Sequence, residues 1–359
     1  MKISIKDLRG KIIDVLSQKL NAADSKTVAD YLIYAEMSGN KTQGIVKMSG
    51  NDSIQNIVAD YAPKITKETP VSALIDGGKN PAIVVAKMAA DIATKKAKES
   101  GIAIVGARNT FSSNGAQAYY VEQIARQNLI GIMCSRSPGS AAPFGSIDPL
   151  LGTNPIGYAF PTDTDPIVFD GATAAMTFYG LVVAKAHGEK LPNGIATDKN
   201  GDPTTDPAAV IDGGAITPFG NSHKGAGFGM LVELLSGPLI DSAYLDYKTF
   251  DQEWGTTIIA INPNILTDVA NFKKRCSDFV QEVRSSRTKT AIRMPNDTAR
   301  ANYATAMESG FIEVDDVIYQ SIFAADRERE RESRLSLAYF HELFDQIFAP
   351  TVYRLGVAR

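Results

Sequence analysis

The stretch "SALIDGGKNPAIVVAKMAADIATKKAKESGIAIVGAR", residues 72–108, decides the fold class. Its two ends, "SALIDGG" and "GIAIVGAR", are short apolar runs with β-branched centres, which is typical of strands. The segment between them, "PAIVVAKMAADIATKKAKESG", is rich in alanine and lysine and predicts a helix. A strand, a helix and a second strand in this order indicate a mixed α/β domain.

The alternation of helix and strand continues beyond this stretch. A helix is predicted for "AYYVEQIARQ" (residues 118–127), and a strand follows at once in "NLIGIMCS" (128–135). The segments "DPIVFDG" (165–171) and "GTTIIAINP" (255–263) complete a set of at least five strands. We therefore predict an α/β domain that spans residues 71–299.

Both ends of the chain predict helices instead. In "SIKDLRGKIIDVLSQKL" (4–20) the apolar residues recur at helical spacing, and Ser4 with Asp7 three residues later resembles a capping box. A second helix is predicted for "SKTVADYLIYAEMSG" (25–39). We expect residues 1–70 and 300–359 to form one helical domain together.

The tail from Asp326 onward returns to a helical pattern. It carries an apolar stripe made of Leu337, Phe340, Phe344 and Ile347. Such a stripe predicts a helix that docks on the N-terminal helices, and a contact between subunits is the alternative.

The composition excludes several classes of protein. The net charge is −3 with both signs interspersed, so no basic surface indicates a nucleic-acid or anionic-membrane partner. No run reaches ~18 apolar residues and "MKISIKDL" lacks a signal region, so neither a membrane span nor secretion is expected. Cys134 and Cys276 lack CxxC spacing, which excludes a cysteine-based zinc site and fits a reducing, cytoplasmic compartment. No metal site is predicted.

The usual phosphate-binding loops are missing from the sequence. There is no GxxxxGK[ST] motif, and "GAGFG" (225–229) does not follow a strand as the dinucleotide fingerprint requires. An ordinary Rossmann domain is therefore not expected.

Four further blocks are informative together and in order. They are "LLGTNPIGYAFPT" (150–162), "IVFDGATAAMTFYG" (167–180), "LPNGIATDKNGDPTTDP" (191–207) and "PFGNSHKGAGFGMLVELLSGPL" (218–239). They resemble the malate/L-lactate dehydrogenase-like family, which includes ureidoglycolate, sulfolactate and diketogulonate oxidoreductases and cyclic-imine carboxylate reductases. The resemblance runs from about Ile3 to Ile322.

The resemblance implies an NAD(P)-dependent oxidoreductase that acts on a small 2-hydroxy or 2-oxo carboxylate. It also implies a non-Rossmann α/β cofactor domain with a mixed sheet, packed against a helical domain built from both chain ends. In the family the active site lies at the interface of a homodimer. NAD and NADP both stay open, because no arginine for a 2′-phosphate is identified.

The cofactor residues are carried over from the family by position. Thr153, Asn154 and Pro155 of "GTNP" match the nicotinamide side, where a turn with amide and hydroxyl groups can hydrogen-bond a carboxamide. Lys224 and Gly225 of "HKG" match the contact to the cofactor phosphate.

Two more segments are carried over in the same way. Asp170 of "FDGATAAM" matches an active-site aspartate that orients or relays protons, and its alternative interpretation is a cap for the next helix. The segment "RMPNDTAR" (293–300) stands in place of the family's "PGE" cofactor loop, with Asn296 for the glycine and Asp297 for the glutamate. If Asn296 adopts a positive φ, asparagine is the tolerated non-glycine residue.

The segment "NKTQGIVK" (40–47) departs from the family pattern. The family has Ser-His-Gly followed by an arginine, where this chain has Thr42, Gln43, Gly44 and Lys47. The family histidine donates the proton, and glutamine cannot deliver one. Lys47 keeps the positive charge and can hold a substrate carboxylate as a point charge. If the loop opens a helix, Gln43 and Lys47 share a face.

A second histidine of the family is also replaced. The matching segment is "NTFSSNG" (109–115), in which Ser113 and Asn114 stand in place of the family's histidine and the aromatic or small residue after it, and Gly115 is retained near the cofactor. The chain has three histidines, His187, His223 and His341, and each is expected to be structural.

Three functions follow from this pattern. The first is an NAD(P)-dependent dehydrogenase whose proton comes from Asp170, Lys47 or water. The second is a cyclic-imine carboxylate reductase, for which the missing histidine costs less because a protonated iminium already carries its proton. The third is a cofactor-binding homologue that no longer catalyses.

Overall fold

The computed structural model describes residues 1–49, 53–245 and 254–323. Within these residues the helices are α1 (Ile5–Leu16), α2 (Ala22–Met37), α3 (Ala82–Ser100), α4 (Ala118–Ala125), α5 (Phe178–His187), α6 (Pro207–Ile211), α7 (His223–Ser236), α8 (Val269–Ser285), α9 (Asp297–Ser309) and α10 (Asp316–Phe323). The predicted start of α1 is confirmed, since the Ser4 side chain accepts a hydrogen bond from the Asp7 N–H at 3.0 Å. The helices predicted around α2, α3 and α4 are also present.

A seven-stranded sheet forms the centre of the molecule. The strands of the described residues are β1 (Lys2–Ser4), β2 (Lys64–Thr69), β3 (Ser72–Asp76), β4 (Ile102–Arg108), β5 (Ile130–Ser135), β6 (Ile156–Phe160), β7 (Ile167–Gly171), β8 (Ala196–Thr197), β9 (Ala215–Ile216), β10 (Thr256–Ile261) and β11 (Phe311–Glu313). The large sheet has the order β2-β3-β4-β10-β5-β6-β7. The five predicted strands, β3, β4, β5, β7 and β10, are all confirmed.

The pairing of the strands excludes a doubly wound Rossmann sheet. Among the strands of the described residues, only β3 and β4 pair in parallel, across the helix α3 that the opening stretch predicts. The other pairs of this sheet are antiparallel. The fold is therefore a mixed, non-Rossmann α/β fold, as expected.

Helices cover both faces of this sheet. On one face, Gly131 of β5 approaches Ile124 of α4 so closely that an added Cβ would lie 3.0 Å from it. On the other face, the Thr257 hydroxyl of β10 donates to the Leu235 carbonyl of α7 at 2.6 Å. Burial on both faces explains why β10 is a predominantly apolar strand, whereas Ile102 and Ile104 of β4 are exposed on one face.

The two chain ends meet beside the sheet. Strand β1 pairs antiparallel with β11, and the Asn302 side chain of α9 donates to the Ser38 carbonyl at 3.3 Å. Helix α9 thus packs beside the end of helix α2, and a single helical domain built from both chain ends stays a prediction. The exact division at residues 70 and 300 stays a prediction, and β2 (64–69) already belongs to the large sheet. The apolar stripe of the tail lies outside the described residues.

No helix within the described residues is long and apolar enough to cross a membrane.

Candidate functional site

The main cavity lies where the loop after α2 meets one end of the sheet. Its volume is about 800 Å³, which suits a small ligand together with part of a cofactor. Nine of the predicted site residues line it: Gln43, Lys47, Ser113, Asn114, Gly115, Thr153, Pro155, Asp170 and Asn296. The structure therefore brings together most of the segments that the sequence comparison singled out. Asn154, Lys224, Gly225 and Asp297 are not in the lining.

The loop that carries Gln43 and Lys47 is built around a buried carboxylate. Glu36, which is only 4% exposed, accepts the Ile45 N–H at 2.8 Å and pairs with Lys41 at 2.8 Å. A Cβ on Gly44 would lie 1.9 Å from the Glu36 Oε1, so only glycine fits there. Gly44 also interrupts the loop, which forms two 3₁₀ turns (Lys41–Gln43 and Ile45–Met48) instead of one helix.

Lys47 and Ser113 are in contact. The Lys47 ammonium donates a hydrogen bond to the Ser113 hydroxyl. These are the positions at which the sequence resemblance leads us to expect an arginine and a histidine. The two replacements thus form one polar pair on the cavity wall.

Gln43 presents an unsatisfied acceptor. Its Oε1 atom is buried and has no hydrogen-bond partner among the described residues. A buried acceptor without a donor costs about 1–3 kcal/mol. Because Gln43 also lines the cavity, a ligand with an N–H or O–H group can remove this cost.

Asp170 is the carboxylate of the cavity. It lies at the end of β7 and accepts the Ala118 N–H at 3.1 Å, at the start of α4. Its side chain is accessible from the cavity, but the surrounding protein separates it from bulk water. This loss of bulk water raises the pKa of Asp170 to about 6, although the N–H groups of Ala118 and Gln117 act to lower it. Asp170 can therefore exchange a proton near neutral pH.

The segment around Asn114 is held by the protein itself. The Asn114 amide donates to the Ser135 hydroxyl at 2.7 Å and to the Thr256 hydroxyl at 2.8 Å, at the ends of β5 and β10. Gly115 has φ +77°, and a Cβ there would lie 1.8 Å from the Tyr31 hydroxyl. Both residues thus shape the cavity wall, and the Asn114 amide group already donates its hydrogen bonds to the protein.

Some residues of the "GTNP" turn lie on the cavity wall, and one lies in the protein core. Thr153 and Pro155 line the cavity, whereas Asn154 is fully buried with φ +40°. The Asn154 amide donates to the Glu233 carboxylate at 2.8 Å and accepts the Ser137 N–H at 3.2 Å. Glu233 in turn pairs with the buried Arg136 at 3.2 Å. Asn154 therefore anchors the turn to α7.

Lys224 and Gly225 lie in the first turn of α7. Lys224 is exposed, and the Ser222 hydroxyl caps the helix by accepting the Gly225 N–H at 3.2 Å. A Cβ on Gly225 would lie 2.0 Å from the Phe219 carbonyl oxygen, so glycine permits a close backbone approach. The helix start can accept an anion, but it does not line the main cavity.

The segment in place of the "PGE" loop adopts a clamped turn. Asn296 has φ +68°, in agreement with the expectation for this position. Asp297 accepts the Met294 N–H at 2.9 Å and the Arg284 guanidinium at 2.7 Å. These hydrogen bonds outweigh partial burial and lower the pKa of Asp297. Asp297 thus holds the loop in place from outside the cavity.

Among the lining residues that sequence reasoning missed are Tyr34, Tyr179, Trp254 and Arg293. Burial, with a smaller contribution from Asp315, raises the pKa of Tyr179 to about 12. Trp254 is the only tryptophan of the chain. Arg293 opens the quoted segment "RMPNDTAR", so a cation next to the cofactor loop was a signal that could have identified it.

The histidines and cysteines show no catalytic arrangement within the described residues. His187 and His223 are exposed and do not line the cavity, and His341 lies outside the described residues. Cys134 and Cys276 are free thiols. The described residues contain no group of three His, Cys, Asp or Glu residues that could hold a metal. The expected cytoplasmic location stays a prediction.

Comparison with known proteins defines the class. The family model of malate/L-lactate dehydrogenase matches residues 3–322. Malate/(S)-sulfolactate dehydrogenase of Methanothermus fervidus is 32% identical over 343 residues, which cover 90% of this chain and 96% of that protein. Ureidoglycolate dehydrogenase (NAD(+)) of Escherichia coli K12 is 33% identical over 305 residues, covering 79% and 83%.

Two further similarities extend the comparison. Delta(1)-pyrroline-2-carboxylate/Delta(1)-piperideine-2-carboxylate reductase of Pseudomonas putida is 30% identical over 308 residues, covering 80% of this chain and 86% of that protein. The solved structure of sulfolactate dehydrogenase from Methanocaldococcus jannaschii superimposes with a TM-score of 0.80 at 30% identity, covering 90% and 95%. The chain belongs to the malate/L-lactate dehydrogenase family and is an oxidoreductase of the dehydrogenase and reductase type.

We predict that Gly44→Ala destabilises the protein by about 1–3 kcal/mol, because the new methyl group overlaps the buried Glu36 carboxylate. The matched control is Gly10→Ala in α1, where a Cβ meets nothing within 4 Å. That change should stabilise the protein by about 0.5–1 kcal/mol. Urea unfolding measures both, and equal free energies of unfolding for the two variants would contradict the steric role of Glu36.

Proposed function

We propose that the protein catalyses the NAD(P)-dependent interconversion of a small 2-oxo carboxylate and its 2-hydroxy acid in the main cavity. The observation that carries this proposal is one cavity that holds a cation, Lys47, and a carboxyl group, Asp170, whose pKa is raised to about 6. The names of the relatives support small carboxylates as the substrate class.

The polar groups of the lining fit a nicotinamide cofactor. The Thr153 and Ser113 hydroxyls and the Gln43 amide can hydrogen-bond a carboxamide, and Asn114, Gly115, Pro155 and Asn296 complete that wall. When bound, the nicotinamide supplies or accepts the hydride. Lys224 and Gly225 are proposed to contact the cofactor phosphate. The proposal covers both NAD and NADP.

The residues of the chain then divide the remaining work. Lys47 pairs with the substrate carboxylate and so orients the 2-carbon. In the direction of reduction, a hydride adds to this carbon, the C=O π bond breaks, and the oxygen takes the proton of Asp170. In the direction of oxidation, the Asp170 carboxylate takes the proton of the hydroxyl group.

A second candidate is reduction of a cyclic-imine carboxylate. The unpartnered Gln43 Oε1 favours it, because a protonated iminium donates an N–H hydrogen bond to an acceptor. Such a substrate already carries its proton and needs no acid in the site. The third possibility, a homologue that binds the cofactor without turnover, is separated from both by kinetics.

We expect oxidation of NADH or NADPH in the presence of a 2-oxo carboxylate. The measurement is loss of nicotinamide absorbance with panels of 2-oxo acids and cyclic-imine carboxylates. Turnover with imines alone would select the second candidate. No turnover with any member of either panel would contradict the enzymatic proposal, and activity gained in Gln43→His with Ser113→His would then identify a scaffold that has lost its acid.

The raised pKa of Asp170 predicts the pH dependence. Reduction requires the protonated acid, so kcat/KM for a 2-oxo acid should fall as pH rises through about 6, and kcat/KM for oxidation should rise over the same range. Asp170→Asn should remove this step from both profiles. A profile of the variant with the same step would contradict the role of Asp170.

The same shift has a consequence for stability. The folded protein binds the Asp170 proton more tightly than the unfolded chain does, because the pKa of this carboxyl group is 3.8 when the chain is unfolded. The free energy of unfolding should therefore decrease as pH rises from about 4 to about 6, and Asp170→Asn should lack this contribution. Unfolding of the two proteins across this range is the control for the kinetic profiles.

We also propose that the protein is a homodimer. The exposed face of α7 supports this, because Phe228, Met230, Leu231 and Leu234 are between 44% and 60% exposed. Apolar side chains concentrated on one surface are typical of an interface.

Light scattering should give twice the mass of one chain. Leu234→Asp should shift the protein toward the monomer, whereas Leu266→Asp, at a leucine that is 90% exposed elsewhere on the surface, should not. A monomeric wild-type protein would contradict the proposal.

A further inference from the structure

The loop before α9 places a cation on the wall of the main cavity. Arg293 lines this cavity and its side chain is exposed. The turn that follows is fixed, since the Asp297 carboxylate accepts the Met294 N–H at 2.9 Å and the Arg284 guanidinium at 2.7 Å. Arg293 is therefore attached to a backbone that the protein holds rigidly.

Within the part of the chain that the structure describes, Arg293 differs from Arg284 and Arg300 in having no side-chain partner. Arg284 pairs with Asp297, and Arg300 donates to the Pro166 carbonyl at 2.7 Å. The Arg293 guanidinium makes no hydrogen bond or ion pair with any residue that the structure describes. Its five N–H donors are thus available to a ligand.

The charge of the cavity indicates what this ligand carries. Among the described residues, Asp170 is the only carboxyl group in the lining, whereas Lys47 and Arg293 are both cations. Under the proposed function Lys47 contacts one acidic group of the ligand, and Arg293 is a second cation of the same lining. A guanidinium prefers planar or tetrahedral oxyanions, which it can bind through two parallel hydrogen bonds.

We propose that Arg293 forms a second anion-binding subsite of the main cavity. Its ligand is an oxyanion distinct from the carboxylate held by Lys47. This oxyanion is either a second acidic group of the substrate or the 2′-phosphate of the cofactor. The inference rests on the proposed function for the identity of the two ligands. The experiment therefore measures binding and does not require turnover.

Trp254 provides the signal for this experiment. It lines the same cavity and is the only tryptophan of the chain, so its fluorescence reports ligand binding in the full-length protein. Four ligands form two matched pairs. Malate and lactate differ by one carboxylate, and NADPH and NADH differ by the 2′-phosphate. The acids are titrated with and without bound NADH.

Arg293→Gln removes the charge and keeps a side chain of moderate length. In one of the two pairs we expect the Kd of the ligand with the extra acidic group, malate or NADPH, to rise about ten- to a hundredfold. The Kd of its matched partner should change little. Arg293→Lys should recover part of the affinity, because the charge returns without the planar fork. Arg275→Gln on α8 is the control, since Arg275 is exposed and outside the cavity lining.

The outcomes separate the two sources of the oxyanion. A selective loss for malate assigns Arg293 to the substrate, and a selective loss for NADPH assigns it to the cofactor. Equal changes within both pairs, or no difference from Arg275→Gln, would overturn the inference. Selective loss in a protein without turnover would leave the subsite intact and refute only the proposed function.

Discussion

The buried carboxylate of Glu36 is the interaction on which the site depends. It binds the backbone of the loop at Ile45 and the ammonium of Lys41, and it leaves room only for glycine at position 44. A buried charge is tolerated because both oxygens are paired. The loop thereby presents Gln43 and Lys47 on the cavity wall from two short turns.

The sequence positions that depart from the expected family pattern, Gln43, Lys47 and Ser113, lie on the wall of one cavity. Lys47 and Ser113 stand at two positions where the resemblance predicts other residues, and the Lys47 ammonium donates a hydrogen bond to the Ser113 hydroxyl. Gln43 places a polar amide on the cavity wall, and an amide cannot release a proton. Asp170 lies in the same cavity with a raised pKa. In the proposed mechanism the proton donor is therefore Asp170 at the end of β7 and not a residue of the loop that carries Gln43.

The central strands and helices were predictable because their signal is local. Strands β3, β4 and β10 have apolar, β-branched centres, and Ser4 marks the start of α1. Strand β2 was missed because all six of its residues are exposed and show no apolar alternation. The roles of Asn154 and Asp297 depend on partners far along the chain, Glu233 among them. Only the folded structure brings those partners together. Likewise, only the folded structure places Arg293 and Lys47 in the lining of one cavity.

In the proposed mechanism Asp170 protonates a ketone, whereas an iminium needs no such proton. The direct measurement is single-turnover hydride transfer in Asp170→Asn, with a 2-oxo acid and with a cyclic-imine carboxylate, each relative to the wild-type protein. The predicted result is a rate for the 2-oxo acid that falls about 10²–10⁴-fold, while the rate for the imine changes little. An Asp170→Asn variant that reduces the 2-oxo acid at the wild-type rate would contradict it.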